Sequence, residues 1–196
     1  MALLSAPRRR CGPYRAKAAR PAGHVGMSLA LVISGTDWAR GQEIDEYQVK
    51  AAFLYNFAKF VEWPPQAFKS SSDPITICIL GRNPFGTAIE EAVRGKAVEG
   101  RVFTVHPVSK VAEARGCQIL FVSSSERKHL HSILGDLNIS GVLTVGEGDG
   151  FTGEGGVIGF KLEGSRIRFE INAGAAERGS LRISSKLLSL AESVKK

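Results

Sequence analysis

The segment from Glu46 to Pro65, EYQVKAAFLYNFAKFVEWPP, is helix-long and too apolar to lie on the surface of an ordinary domain. It carries Tyr47, Phe53, Tyr55, Phe57, Phe60 and Trp63. Its polar residues gather in one stripe through Asp45, Gln48, Asn56 and Lys59, interrupted by Ala52. Val49, Phe53, Phe57 and Phe60 line one neighbouring face, and Ala51, Leu54, Ala58 and Val61 line another. A surface helix needs one apolar stripe, and this one has nearly two. It is therefore either sunk in a core or covered in part by a second chain. The core accounts for most of it, and the surplus makes Phe53, Tyr55, Phe60 and Trp63 candidates for a partner interface.

A chain of 196 residues suits one domain with a good core. The net charge of +7 invites a nucleic-acid reading, but its distribution removes that reading. Residues 1–41 hold seven basic residues against Asp37 alone, leaving 19 basic and 18 acidic residues in 42–196. The part that folds is close to neutral, so no nucleic-acid partner is expected.

Residues 1–41 read as a targeting leader: a basic region, an apolar segment Val25–Gly35, and the small-x-small triplet Ala39-Arg40-Gly41 that places a cut before Gln42. The apolar segment is too short to span a bilayer, so an exported, processed protein is expected. Residues 42–196 then form the mature domain, with two of the three cysteines, Cys78 and Cys117. Each sits in an apolar run, ITICIL and CQILFV. If those runs are neighbouring strands, a disulfide is within reach. Two buried free thiols are the alternative.

Beyond Pro64-Pro65, which stop the helix, Ile75–Leu80 reads as a buried strand. Asn83-Pro84 then starts a helix through Ala88, Ile89 and Ala92. Further strands follow at Arg101–Val108, Gln118–Val122 and Gly141–Val145, with a helix capped by Ser123-Ser124-Ser125 between the last two. Val157–Leu162 and Ile167–Ile171 flank Glu163-Gly164-Ser165 as a hairpin. Helical pieces at Ala173–Glu177 and Ile183–Val194 finish the chain. The pattern predicts an α/β fold: a single three-layer domain with a mixed sheet of about six strands flanked by helices.

No catalytic constellation is legible, so the chain is read as a non-enzyme that needs no cofactor and no metal. Gly148–Gly153 is formally a G-x-G-x-x-G, but a strand follows it where a dinucleotide site needs a helix. Glu147, Asp149 and Glu154 would also repel phosphate, so a mobile loop joining strands is expected. His129 and His131 lie two apart on one helix and cannot share a metal. Asn138-Ile139-Ser140 matches a glycosylation sequon, a triplet that chance often supplies.

The block Tyr47–Pro64, YQVKAAFLYNFAKFVEWP, resembles the signature helix of the YfiR family of bacterial periplasmic proteins. Phe169-Glu170-Ile171-Asn172 and the block Leu181–Ala191, LRISSKLLSLA, resemble that family's C-terminal end. The resemblance implies a small periplasmic α/β domain, often dimeric, without known catalysis. It implies repression of an inner-membrane diguanylate cyclase through its periplasmic part, which lowers cyclic di-GMP and biofilm formation. It also implies relief of that repression by an outer-membrane lipoprotein. Cys78 and Cys117 match the better-placed disulfide of the family's best-known member. A second bridge nearer the C-terminus is missing, because no cysteine follows Cys117. A periplasmic small-ligand sensor serving another signalling partner, such as a histidine kinase, is the alternative reading. An unrecognised hydrolase is a third, for which no nucleophile–base pair can be named.

Overall fold

The computed structural model describes residues 37–137 and 141–196. Most of the expected leader and the sequon at Asn138 lie outside the described residues. The first element is the long helix α1 (Asp37–Phe60), which begins upstream of Glu46 and contains the position of the expected cut before Gln42. It stops ahead of Pro64-Pro65, where Val61–Glu62 turns extended as the short strand β1.

A sheet of eight strands follows, in the order β10-β8-β7-β6-β5-β2-β4-β3. Its centre is β2 (Ile75–Leu80), β5 (Ile119–Val122) and β6 (Leu143–Glu147), paired in parallel. These strands are apolar almost without interruption because both faces of the sheet are covered. β4 (Arg101–Val108) pairs in parallel on the far side of β2, and β7 (Ile158–Glu163) joins β6 in parallel. β8 (Arg166–Asn172) returns antiparallel to β7 as the expected hairpin. The sequence reading gave six of these strands. The other two, β3 (Ala97–Val98) and β10 (Ser193–Lys195), are short edge strands without a readable period.

On one face lie α1, α2 (Ala88–Val93), α4 (Ala173–Arg178) and α5 (Ser185–Leu190). They close a core around Leu54, Phe57, Ile77, Phe121, Val145, Phe160 and Phe169. The opposite face is covered by 3-10 turns at Val111–Gly116 and Ser124–His129 and by α3 (Leu130–Asp136). Three layers result, as predicted. A separate ribbon joins β1 to β9 (Arg182–Ile183), so the two blocks that resemble the family signature meet in space.

Three local expectations are corrected. Asn83 does not start a helix: its side-chain oxygen accepts from the Phe85 N–H at 2.9 Å, making a turn. Gly86 then adopts a left-handed backbone (φ 55°), and α2 begins only after Thr87. The last helix is also shorter than Ile183–Val194. Ser184 caps it, it ends at Leu190, and the chain re-enters the sheet as β10 beside β8.

The third correction concerns the glycine-rich segment, which is packed rather than mobile. It carries the parallel crossover from β6 to β7 without a helix, and in a helix's place it supplies Phe151 to the second core. Phe151 is 1 % exposed and Thr152 0 %. The Phe151 ring lies so close to Gly146 and Gly156 that a Cβ on either would sit 2.1 Å from it. Only glycine fits at both positions.

Candidate functional site

Ala51, Leu54, Phe57 and Ala58 form the buried side of α1, continued by Val61 of β1, while Gln48, Ala52 and Lys59 are exposed. The core reading therefore holds for the whole Ala51, Leu54, Ala58 and Val61 stripe and for Phe57 of the other stripe, whose remaining members Val49, Phe53 and Phe60 are not fully buried. One lysine joins the buried stripe. Lys50 is 4 % exposed and bonds Glu46, one turn back, and Glu147 at the end of β6, at 2.9 Å. Tyr47 Oη donates to the same Glu147 at 3.2 Å. This polar knot ties the helix to the carboxyl end of a central strand. Its signal in the sequence was a lysine at helical spacing among Leu54, Phe57 and Val61, which the apolar pattern concealed.

The second apolar stripe turns toward the β7–β8 hairpin and is only partly covered. Phe53 is half-buried, its ring 5.6 Å from Phe169 and 6.0 Å from Phe160. Val49 is 38 % exposed and, across the gap, Leu162 is 56 % exposed. Together with Ile167 they line an open groove of about 440 Å³, rimmed by Glu46, Arg166 and Arg168. Phe60, further along the same flank, is half-buried, with the Lys186 ammonium of α5 5.3 Å from its ring.

The structure does not place the four candidate interface residues together. Tyr55 lies on the opposite flank of α1 from Phe53, edge-on to Phe103 of β4 at 5.6 Å. Trp63 lies beyond the helix. Its indole N–H donates to the Gln118 carbonyl at 3.1 Å, and Gln118 in turn bonds Ala67 and Thr76. That network fixes Trp63 as a strut between the end of α1 and the start of the sheet. Its ring nonetheless borders a second cleft of about 560 Å³ with Phe68, Ile75 and Arg101. The Arg101 guanidinium stacks on Phe68 at 3.8 Å and donates to the carbonyls of Ser70 and Asp73. Asp73 is held below the usual carboxylate range by the backbone N–H groups of Ser70 and Lys69.

Cys78 and Cys117 are joined as a disulfide, with Cα atoms 5.9 Å apart, between β2 and the entry to β5. A different buried group sits on the far face. Glu170, 3 % exposed, accepts from the Thr152 hydroxyl and faces Lys161 at 3.0 Å and Lys195 at 3.9 Å. Burial alone would raise its pKa, but Thr152 and the two lysines outweigh burial and lower it. Asn172 completes this clamp. Its side-chain oxygen caps α4 at Ala175 and its amide donates to the Thr152 carbonyl at 2.8 Å. The Phe169–Asn172 block thus fastens the glycine-rich crossover to the sheet. His129 and His131 point to separate carboxylates, Glu126 and Glu154. Among the described residues no group of three or more His, Cys, Asp or Glu is placed to hold a metal, and no helix is long and apolar enough to cross a membrane.

Comparisons with known proteins bear on what this arrangement is for. Among curated proteins, none matches the chain significantly. A solved structure of a conserved domain protein from Vibrio cholerae O1 biovar El Tor is similar in fold, with a TM-score of 0.50 at 10 % identity. The match covers 76 % of this chain and spans 60 % of that one. A family profile described as YfiR/HmsC-like matches residues 47–192, from the Tyr47 block through the C-terminal block. On that match, over most of its length, the chain belongs to the YfiR/HmsC-like family.

Proposed function

We propose that this protein is a periplasmic regulatory binding protein that restrains an inner-membrane diguanylate cyclase and so lowers cyclic di-GMP. Family membership supports the class of function. The observation that carries the docking role is the open groove between α1 and the β7–β8 hairpin, with Val49 and Leu162 exposed on its two sides. A domain with 24 buried residues in its main core had no need to leave this stripe uncovered for its own stability. Docking restrains an enzyme only if the regulator binds its inactive state more tightly, and such preferences are typically about 5-fold to 150-fold. Deleting the gene should raise cyclic di-GMP and surface attachment, and deleting the cyclase gene as well should abolish the rise. Unchanged cyclic di-GMP in cells that express the cyclase would reject this function.

A small-ligand sensor is the second reading, favoured by the cleft at Trp63, Phe68 and Arg101. Its apolar floor and mixed-charge rim, with Arg101 and Lys69 beside Glu62 and Glu99, would suit a small ligand with an apolar body and a polar head. A ligand that raises the melting temperature of the parent but not of an Arg101→Ala variant would identify it.

A further inference from the structure

Three lysines without an ion-pair partner among the described residues stand along α1 and its neighbours. Lys96, in the turn between α2 and β3, lies 4.4 Å from the centre of the Tyr55 ring. Lys59 lies 5.6 Å from the same ring and 5.9 Å from Phe60. Lys186 of α5 lies 5.3 Å from Phe60. Cation and ring therefore alternate from Lys96 through Tyr55, Lys59 and Phe60 to Lys186. The lysines are exposed and the rings half-buried.

Other lysines, such as Lys110 and Lys128, also stand without an ion pair, but among the described residues only these three are both unpaired and set over aromatic rings. Lys50 is answered by Glu46 and Glu147, and Lys161 and Lys195 by Glu170. The carboxylates on the adjoining elements, Glu62, Glu90, Glu91 and Glu99, form no ion pair with the row, and Glu91 accepts instead from Thr87 at 3.0 Å. In a body with 19 basic and 18 acidic residues after position 41, three unanswered cations set across the exposed side of α1, from the Tyr55 flank to the Phe60 flank, are a local excess of positive charge. Rings beneath the ammonium groups also restrict their freedom beforehand, so less entropy is lost when a carboxylate arrives.

We propose that this row is the contact for an acidic protein segment, one that sets carboxylates on the three lysines and apolar side chains over Tyr55 and Phe60. The inference rests on the regulatory reading above and adds the chemistry of the partner. An anionic membrane is the other surface such charge could meet, but the geometry disfavours it. Tyr55 is pinned edge-on to Phe103 and Phe60 is half-buried, so neither ring can insert among acyl chains. Three lysines also fall short of the roughly four to eight basic residues of lipid-binding clusters.

The test titrates the purified protein against the purified periplasmic domain of the cell's diguanylate cyclase. In parallel it is titrated against vesicles of phosphatidylethanolamine and phosphatidylglycerol. The test variant is Lys59→Glu/Lys96→Glu/Lys186→Glu, and the control is Lys110→Glu/Lys128→Glu, on the segments covering the opposite face. The parent should bind the domain with an affinity that falls as salt rises. The triple variant should bind about 3-fold to 100-fold more weakly at an unchanged melting temperature, and the control as the parent does. Parental affinity in the triple variant overturns the inference and leaves the regulatory reading intact. Binding to vesicles that is lost in the triple variant, with none to the domain, overturns it in favour of a membrane surface. A parent that binds neither removes the inference and the cyclase reading together.

Discussion

Phe57→Ala should be among the most damaging single truncations in this domain, and its neighbour Phe53→Ala should be mild. Phe57 has no exposed surface, and its ring lies 5.2 Å from Phe169 and 5.7 Å from Phe160. Truncating an enclosed phenylalanine costs about 3–5 kcal/mol, and two aromatic pairs place this one at about 4–5 kcal/mol. Phe53 touches the same two rings but stands half-buried beside the open groove, so part of its surface already meets water. Its truncation should cost about 1–2 kcal/mol. At roughly 2–4 °C per kcal/mol for a domain of this size, the melting points should fall by about 8–20 °C and about 2–8 °C respectively. Urea unfolding without reductant measures both, with an unchanged m-value showing that the denatured state is the same. Equal losses at the two positions, or a Phe57 loss below about 2 kcal/mol, would refute the division of α1 into a core side and an open flank.

Reducing the Cys78–Cys117 bond, which closes 39 residues of separation, should lower stability by about 4 kcal/mol, seen as an earlier urea midpoint with reductant. A midpoint that ignores reductant would contradict the bridge. Gly156→Ala should cost about 1–3 kcal/mol by driving a Cβ into the Phe151 ring, and Phe151→Leu should recover part of that loss in the double variant. Strict additivity would contradict the close approach. Glu170 has a folded pKa below its ordinary 4.5, so its contribution is present above 4.5 and fades as pH falls through the lower folded value. Glu170→Gln should therefore melt lower than the parent at neutral pH, with the gap closing below pH 4.5, and a constant gap would contradict the clamp.

The sequence revealed elements whose pattern is local. Ile75–Leu80 and Ile119–Val122 read as buried strands because they are continuously apolar, and the hairpin at Glu163-Gly164-Ser165 announced itself by its turn. The buried stripe of α1 followed from helical spacing. What escaped depends on distant partners. β3 and β10 are strands only because β4 and β8 lie beside them, and neither has enough residues to show a period. Phe151 looked like one aromatic in a flexible acidic loop until Gly146 and Gly156 closed on it. At the candidate site, Phe53 was legible as surplus apolar surface, but Leu162 and Ile167 across the groove come from a hairpin more than 100 residues later in the chain. The separation of Tyr55 from Phe53 could have been read from helical angle alone. Lys50 and Glu147 find each other only in the fold, as Glu170 finds Lys195.

The measurement that bears most directly on the regulatory role is cyclic di-GMP in cells whose only copy carries Val49→Glu. Val49 is already 38 % exposed on the groove, so the substitution puts a charge into the docking surface without entering the core. The account predicts cyclic di-GMP rising to the level of the gene deletion, from a protein present at parental abundance with a melting temperature within about 2 °C of the parent. Parental cyclic di-GMP from that folded variant, in cells where the deletion itself raises the level, would show that the groove beside α1 is not where this protein holds its partner.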